Sequence, residues 1–298
     1  MDLAARLRTV EQLSPADRLD ALAALGREVL ADDSAGAPAN GSAADVIRPL
    51  VAHLLDAIES GAGTGRQRLE LGEVLGLLGD PRLRRPADEG YWVRISSDLG
   101  PIVIGRFPVT NAEYRAWVDS GAYRDRSAWT DDGWTWLDGA KGDADGPWSI
   151  HAQDVASRPF VVPNQPVVGV TFWEAQAYAA AHGARLPRSD ERVWACRGRE
   201  RRPYPWGSPF GEGNANTREE VLGRPCAVGL YLRDRTPDGV ADLAGNVAEW
   251  MADEVGDQRL IHPGAWDQPS MAAWAKALAL YPPDARWAGL GFRLARDA

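Results

Sequence analysis

The chain has 298 residues, 45% of them hydrophobic and 25% charged, so it can bury a substantial core in one large or two smaller domains. A formal net charge of -9 argues against nonspecific nucleic-acid binding, which needs a clustered basic surface; the run from Arg197 to Arg202 is basic but local. No apolar run approaches the roughly 20 residues that cross a bilayer, the start lacks the pattern of a secretory signal, and Cys196 and Cys226 are too few for a disulfide framework, so a cytoplasmic protein with no membrane or nucleic-acid partner is expected.

The first ninety residues contain no aromatic side chain; all thirteen Trp, seven Tyr and five Phe lie at or beyond Tyr91. This sets a boundary between a helical segment, residues 1–88, and a second domain, residues 89–298. Ser14 followed by Pro15 predicts a helix start, with the serine as cap and Leu19, Leu22, Leu25 and Val29 on one side. A linker is expected over roughly 31–44 from its Gly, Ala, Ser and Asp content. Val46, Ile47, Leu50, Val51, Leu54, Leu55 and Ile58 then repeat at helical spacing, leaving His53 on the polar side as a solvated histidine. "GAGTG" reads as a linker, since it lacks the lysine and preceding strand of a phosphate loop, and the stretch from Arg66 predicts a helix stopped by Gly79, Asp80 and Pro81. These helices are expected to pack on one another, on a helical partner or on a second copy.

Beyond Tyr91, "PIVIGRFPVT" predicts a strand entering a turn, and Thr110 caps a helix that places Tyr114, Trp117 and Val118 on one face. In "PVVGVTFWEAQAYAAAHGARLP" a strand leads into a helix, with Thr171 and Glu174 as a capping box. Between them, residues 120–165 read as a long irregular stretch carrying Trp129, Trp134, Trp136 and Trp148, and a loop of that length is functional or tied down. Cys196 and Cys226 read as small buried hydrophobes.

"GVADLAGNVAEWMAD", residues 239–253, places Asp242, Gly245, Asn246 and Glu249 close together. Two readings stand at this point, turn chemistry and cation binding, because Asp, Gly and Asn favour tight backbone geometry while carboxylate and carbonyl oxygens suit calcium.

Four segments occur in the order seen in the formylglycine-generating enzyme and sulfatase-modifying-factor family: "GRFPVTNAEYRAWV", "QPVVGVTFWEAQAYAAAHGARLPRSDERVWACRGRERRPYPWG", "DLAGNVAEW" and "GLGFRLAR". The chain resembles that family over about residues 91–298. The resemblance implies an irregular α+β fold related to C-type lectins. It implies a structural calcium held by Asp242, the carbonyls of Gly245 and Val247, and Glu249. A second calcium would begin at Asn216 and the Thr217 carbonyl, with Glu220 a candidate.

Formylglycine-generating oxidases carry two cysteines after a "GGSW" segment, as thiolates that hold Cu(I). The matching stretch is "HPGAWDQPSMAAW", where Ala265 replaces the serine and the cysteine positions fall on Gln268 and Ala273. The iron-dependent sulfoxide synthases of the family need a set of imidazoles, whereas His53, His151, His182 and His262 show no HxxxH spacing. Neither copper nor iron is expected, and no catalytic residue is assigned.

What remains is a binding scaffold. Trp266, Asp267, Gln268, Ser270, Met271, Trp274, Lys276, Tyr281 and Trp287 mix rigid aromatics with polar groups, as ligand-binding surfaces do, although Trp is also a frequent core residue. A C-terminal segment ending in "GFR" also resembles the diversified surface of variable proteins of diversity-generating retroelements. The leading expectation is a calcium-stabilised, catalytically inactive member that binds a protein or small-molecule ligand there. The competing ones are an oxidase or other oxygen-dependent enzyme in the same groove, and a purely structural assembly module.

Overall fold

A computed structural model describes residues 3–33, 42–98, 100–139 and 159–298. The chain divides into two compact units, Met1–Leu83 and Arg84–Ala298. Trp148, His151 and part of the linker expected over 31–44 lie outside the described residues.

The first unit is helical: α1 (Leu3–Glu11), α2 (Pro15–Asp33), α3 (Ser42–Glu59) and α4 (Gly65–Leu78). Ser14 accepts the Asp17 N–H, the cap that the Ser-Pro pair predicts. Leu22 and Leu25 of α2, Leu50, Leu54 and Ile58 of α3, and Leu69 and Leu75 of α4 are buried, whereas Val46 is exposed. The buried face of α3 is therefore narrower than its apolar pattern. "GAGTG" is more than a connector, because Thr64 caps α4 in a reciprocal box with Gln67. His53 is not simply solvated: its ring nitrogens meet the Pro49 carbonyl at 2.7 Å and Glu11 at 3.0 Å.

The second unit is α+β. β1 (Trp92–Ser97), β2 (Gly100–Gly105) and β7 (Ala295–Arg296) form an antiparallel sheet in the order β1-β2-β7. Alternation along β1 turns Val93 and Ile95 inward, against Cys196 of α8 (Ser189–Arg197) and Val240 and Leu243. A second sheet, in the order β5-β4-β3-β6, joins β3 (Ala248–Val255), β4 (Gln258–His262), β5 (Ala279–Tyr281) and β6 (Leu290–Phe292), with β3 and β6 parallel.

Its main core lies between this sheet and α5 (Asn111–Asp119) and α7 (Phe172–Ala181), where Tyr114, Trp117, Tyr178, Trp250 and Phe292 meet. Burying a side chain of this kind stabilises the fold by roughly 3 kcal/mol. Thr110 with Glu113 and Thr171 with Glu174 form capping boxes at the starts of α5 and α7. "PVVGV" is not a strand. Its Pro166 makes one isolated bridge to Thr110, and Gly169 takes a φ of 72°, so the run crosses the core as irregular chain. The stretch over 120–165 contains α6 (Asp131–Gly139), in which Trp134 and Trp136 are half-buried, and Trp129 is in the core.

Candidate functional site

The run 239–253 turns tightly and enters β3. Asp242 and Asn246 bracket the turn in the left-handed region, at φ 56° and 72°, a geometry that Asp and Asn tolerate. A Cβ on Gly245 would come within 2.6 Å of the Asn216 carbonyl, so only glycine fits there. Every residue from Ala241 to Trp250 is buried, and each polar group therefore needs a partner.

The partners come from distant parts of the chain. Asp234, itself buried, accepts the N–H groups of Leu243, Ala244 and Gly245 at 3.0, 2.9 and 3.0 Å. Burial and then the neighbouring Asp242 carboxylate push the Asp234 carboxyl up to about 7, against the pull of those backbone donors. The Asp242 carboxylate accepts the Gly229 N–H at 2.7 Å. Asn246 donates to the Cys226 carbonyl and accepts from the Cys226 N–H and the Asn216 amide.

Glu249 stands in β3 opposite His262 of β4 and Gly291 of β6. Arg293 spans both its oxygens, at 2.7–3.0 Å, and Arg192 donates to Oε2 at 3.0 Å. Burial alone would raise the Glu249 carboxyl, but the two guanidinium groups outweigh it and hold it at about 2. Arg293 Nη2 also donates to the carbonyls of Ala241 and Asp242, at 2.9 Å each, and Arg192 donates to the carbonyl of Leu243 at 2.8 Å. His262 is buried; desolvation and the nearby Arg192 keep its imidazole neutral, Nε2 meeting the Trp274 carbonyl and Nδ1 accepting from Gly264.

The calcium ligand set fits this arrangement poorly. Glu249 already accepts three guanidinium N–H groups, and the Gly245 carbonyl accepts from Val247 N. A divalent ion about 4 Å from a guanidinium meets a repulsion on the order of 8 kcal/mol at an effective dielectric of about 20. The Asn216 position differs, since its Oδ1 is buried without a hydrogen-bond partner, as a cation ligand would be. Glu220 does not join it: its oxygens accept from Gly213 and Tyr231. Among the described residues, no group of three or more His, Cys, Asp or Glu side chains is placed to hold a metal.

Neither cysteine is open to solvent, and burial pushes the Cys196 thiol up to about 12. At the family's cysteine positions, Ala273 is fully buried and Gln268 is half-buried. The neighbouring loop clamps this stretch: Arg218 N–H donates to the Gln268 carbonyl, its side chain to the Asp267 carbonyl, and Glu219 accepts from Ser270 N.

The nine residues expected to form a binding surface split into two groups. Met271 and Trp274 are 76% and 45% exposed, and Lys276 and Tyr281 are exposed as well. Trp266, Asp267, Gln268, Ser270 and Trp287 are half-buried; the Trp266 ring N–H donates to the Ala288 carbonyl, and the Trp287 ring lies 5.1 Å from that of Tyr281. Leu278 and Leu280 are exposed beside them and were not anticipated, although the alternation in "ALALY" before two prolines marks a short edge strand, β5. A cavity of about 370 Å³ lined by Trp129, Phe172 and Gln176 lies elsewhere, since none of the nine residues borders it.

A sequence profile of the sulfatase-modifying factor enzyme 1-like domain matches residues 93–298. Hercynine oxygenase of Mycolicibacterium thermoresistibile is 40% identical over 167 residues, covering 51% of this chain and 36% of that protein. The chain spans about a third to a half of the length of the hercynine oxygenases it matches. The inactive Cα-formylglycine-generating enzyme 2 of Bos taurus is 28% identical over 236 residues, covering 66% of this chain and 78% of the relative. Among solved structures, PvdO from Pseudomonas aeruginosa superposes with a TM-score of 0.50 at 21% identity, over 67% of this chain and 81% of that one, a likeness of fold alone. No helix among the described residues is long and apolar enough to cross a membrane. With the profile spanning more than half its length, the chain belongs to the sulfatase-modifying factor enzyme 1-like domain family.

Proposed function

We propose that this chain is a non-oxidising member of its family that binds a protein or small-molecule ligand through the surface around residues 266–287. The observation that carries the reading is a contrast of exposure. Both thiols are buried, while Met271, Trp274, Leu278, Leu280 and Tyr281 face solvent within eleven consecutive residues. Large apolar and aromatic side chains exposed so densely along one short segment support an interaction role. Calcium, on this reading, has one place left: the Asn216 Oδ1 and the Thr217 carbonyl would hold it, fastening a loop. Residues 1–88 would supply the contact to a helical partner or a second copy.

Selection of a random peptide library on the immobilised chain tests the surface. Enriched peptides are expected to bind Met271→Ser and Trp274→Ser at least about tenfold more weakly, the size of a modest hot spot. Peptides indifferent to both changes would contradict the assignment.

A second reading is favoured by the 40% identity to hercynine oxygenase: an oxygen-dependent enzyme acting in the same region. It predicts oxygen uptake when the chain is supplied with iron and hercynine. Among the described residues of the second unit, the imidazole of His262 is buried and hydrogen-bonded at both nitrogens and that of His182 meets the Tyr178 carbonyl through Nδ1, and no three metal-ligating side chains come together.

A further inference from the structure

The loop that the family resemblance marks for a calcium ion already holds cations of its own. Three guanidinium N–H groups, the Nε and Nη2 of Arg293 and the Nε of Arg192, occupy the Glu249 carboxylate, the Arg293 Nε shared between its two oxygens. The same two guanidinium groups take the carbonyls of Ala241, Asp242 and Leu243. These are hard oxygens of the kind calcium collects. On the other side, the Asp234 carboxylate takes the N–H groups of Leu243, Ala244 and Gly245. Three carbonyls and the carboxylate of the turn are thus met by arginine, and three of its N–H groups by aspartate.

We infer that Arg192 and Arg293 are the built-in cation of the 241–249 loop, and that this loop neither takes nor needs calcium. The charge count agrees. Two buried guanidinium groups face three buried carboxyls, those of Asp234, Asp242 and Glu249, so the cluster is within one unit of neutrality before any ion is added. A divalent ion would reverse the sign of the cluster and displace arginine side chains that have no route to water. Arg192 is the decisive member, because it reaches the loop from α8 and adds the second positive charge.

Thermal unfolding of the full chain in millimolar calcium and in chelator tests the inference, beside Asn216→Ala to remove the separate candidate position. A calcium site filled a hundredfold above its dissociation constant raises the midpoint of a domain this size by roughly 5–10 °C. The expected result is no shift, or a shift that disappears in Asn216→Ala. A shift of that size that persists in Asn216→Ala overturns the inference. Arg192→Met is the second arm, should Asn216→Ala not fold. It is expected to melt several degrees below wild type in both buffers, or to lose its cooperative melt. If Arg192→Met in calcium matches the wild-type midpoint, an ion carries the charge and the inference fails.

Discussion

The loop 241–249 and the segment 270–281 lie in one domain and are built in opposite ways. The loop is wholly buried, and many of its polar groups are met by Asp234, Arg192 and Arg293 from elsewhere in the chain, the rest by Gly229, Cys226 and Asn216 among others. The segment exposes five large apolar side chains between residues 271 and 281, while its neighbours Ala273 and Ala275 are fully buried. Asp, Gly, Asn and Glu in a tight run are thus buried and hydrogen-bonded, whereas the part that faces solvent is apolar. The difference separates what holds the domain together from what it can display.

Substitutions sharpen the contrast, and the largest effects belong to the buried loop. Arg293→Met strands a buried carboxylate and three carbonyls, and should cost about 3–5 kcal/mol, read as a lower urea midpoint at unchanged slope. Asp234→Ala leaves three backbone N–H groups without an acceptor; part of that loss is offset by removing a buried carboxyl, and about 3 kcal/mol should remain.

Acid should weaken the same loop. Glu249 is held at about 2 in the fold against an ordinary 4.5, so its stabilisation is fully present above about pH 4.5 and is lost as pH falls toward 2. The loss is on the order of 3 kcal/mol, and Glu249→Gln should flatten it in an acid titration followed by circular dichroism. A helix cap comes next: Thr171→Ala removes the acceptor of the Glu174 N–H and should cost about 1 kcal/mol in the same urea assay. At the bottom of the scale, Met271→Ser and Leu280→Ser should change stability by less than about 0.5 kcal/mol. A buried role for either residue would show as a loss of several times that value, and the comparison would break.

Local signals in the sequence carried much of the frame. The Ser14–Pro15 start, the Thr110 and Thr171 caps and the Leu50–Leu54–Ile58 face are short-range patterns, and each forms as its spacing predicts. The same logic missed the Thr64–Gln67 box, because three glycines around Thr64 read as a linker. It also missed α6, whose "DDGWTWLDG" is short and carries two glycines, and it made a strand of "PVVGV", where a left-handed glycine interrupts the chain.

The site was legible only in part. Asp242, Asn246 and Glu249 were visible as a run, but their partners Arg192 and Arg293 stand 57 and 44 residues from Glu249. No periodicity connects them. The exposed residues of the C-terminal surface were legible by type, since Met271, Trp274 and Tyr281 are large groups in a short segment. The half-burial of Trp266 and Trp287 was not, because it depends on packing against Phe160 and Tyr281.

The central claim, that the domain binds without oxidising, is tested most directly by oxygen consumption. The purified chain is given Cu(I) and a cysteine-containing peptide, with Cys196→Ala and Cys226→Ala measured beside it. The account predicts no uptake above the copper-only blank in any of the three proteins. Uptake by the wild type that either cysteine substitution abolishes would contradict it.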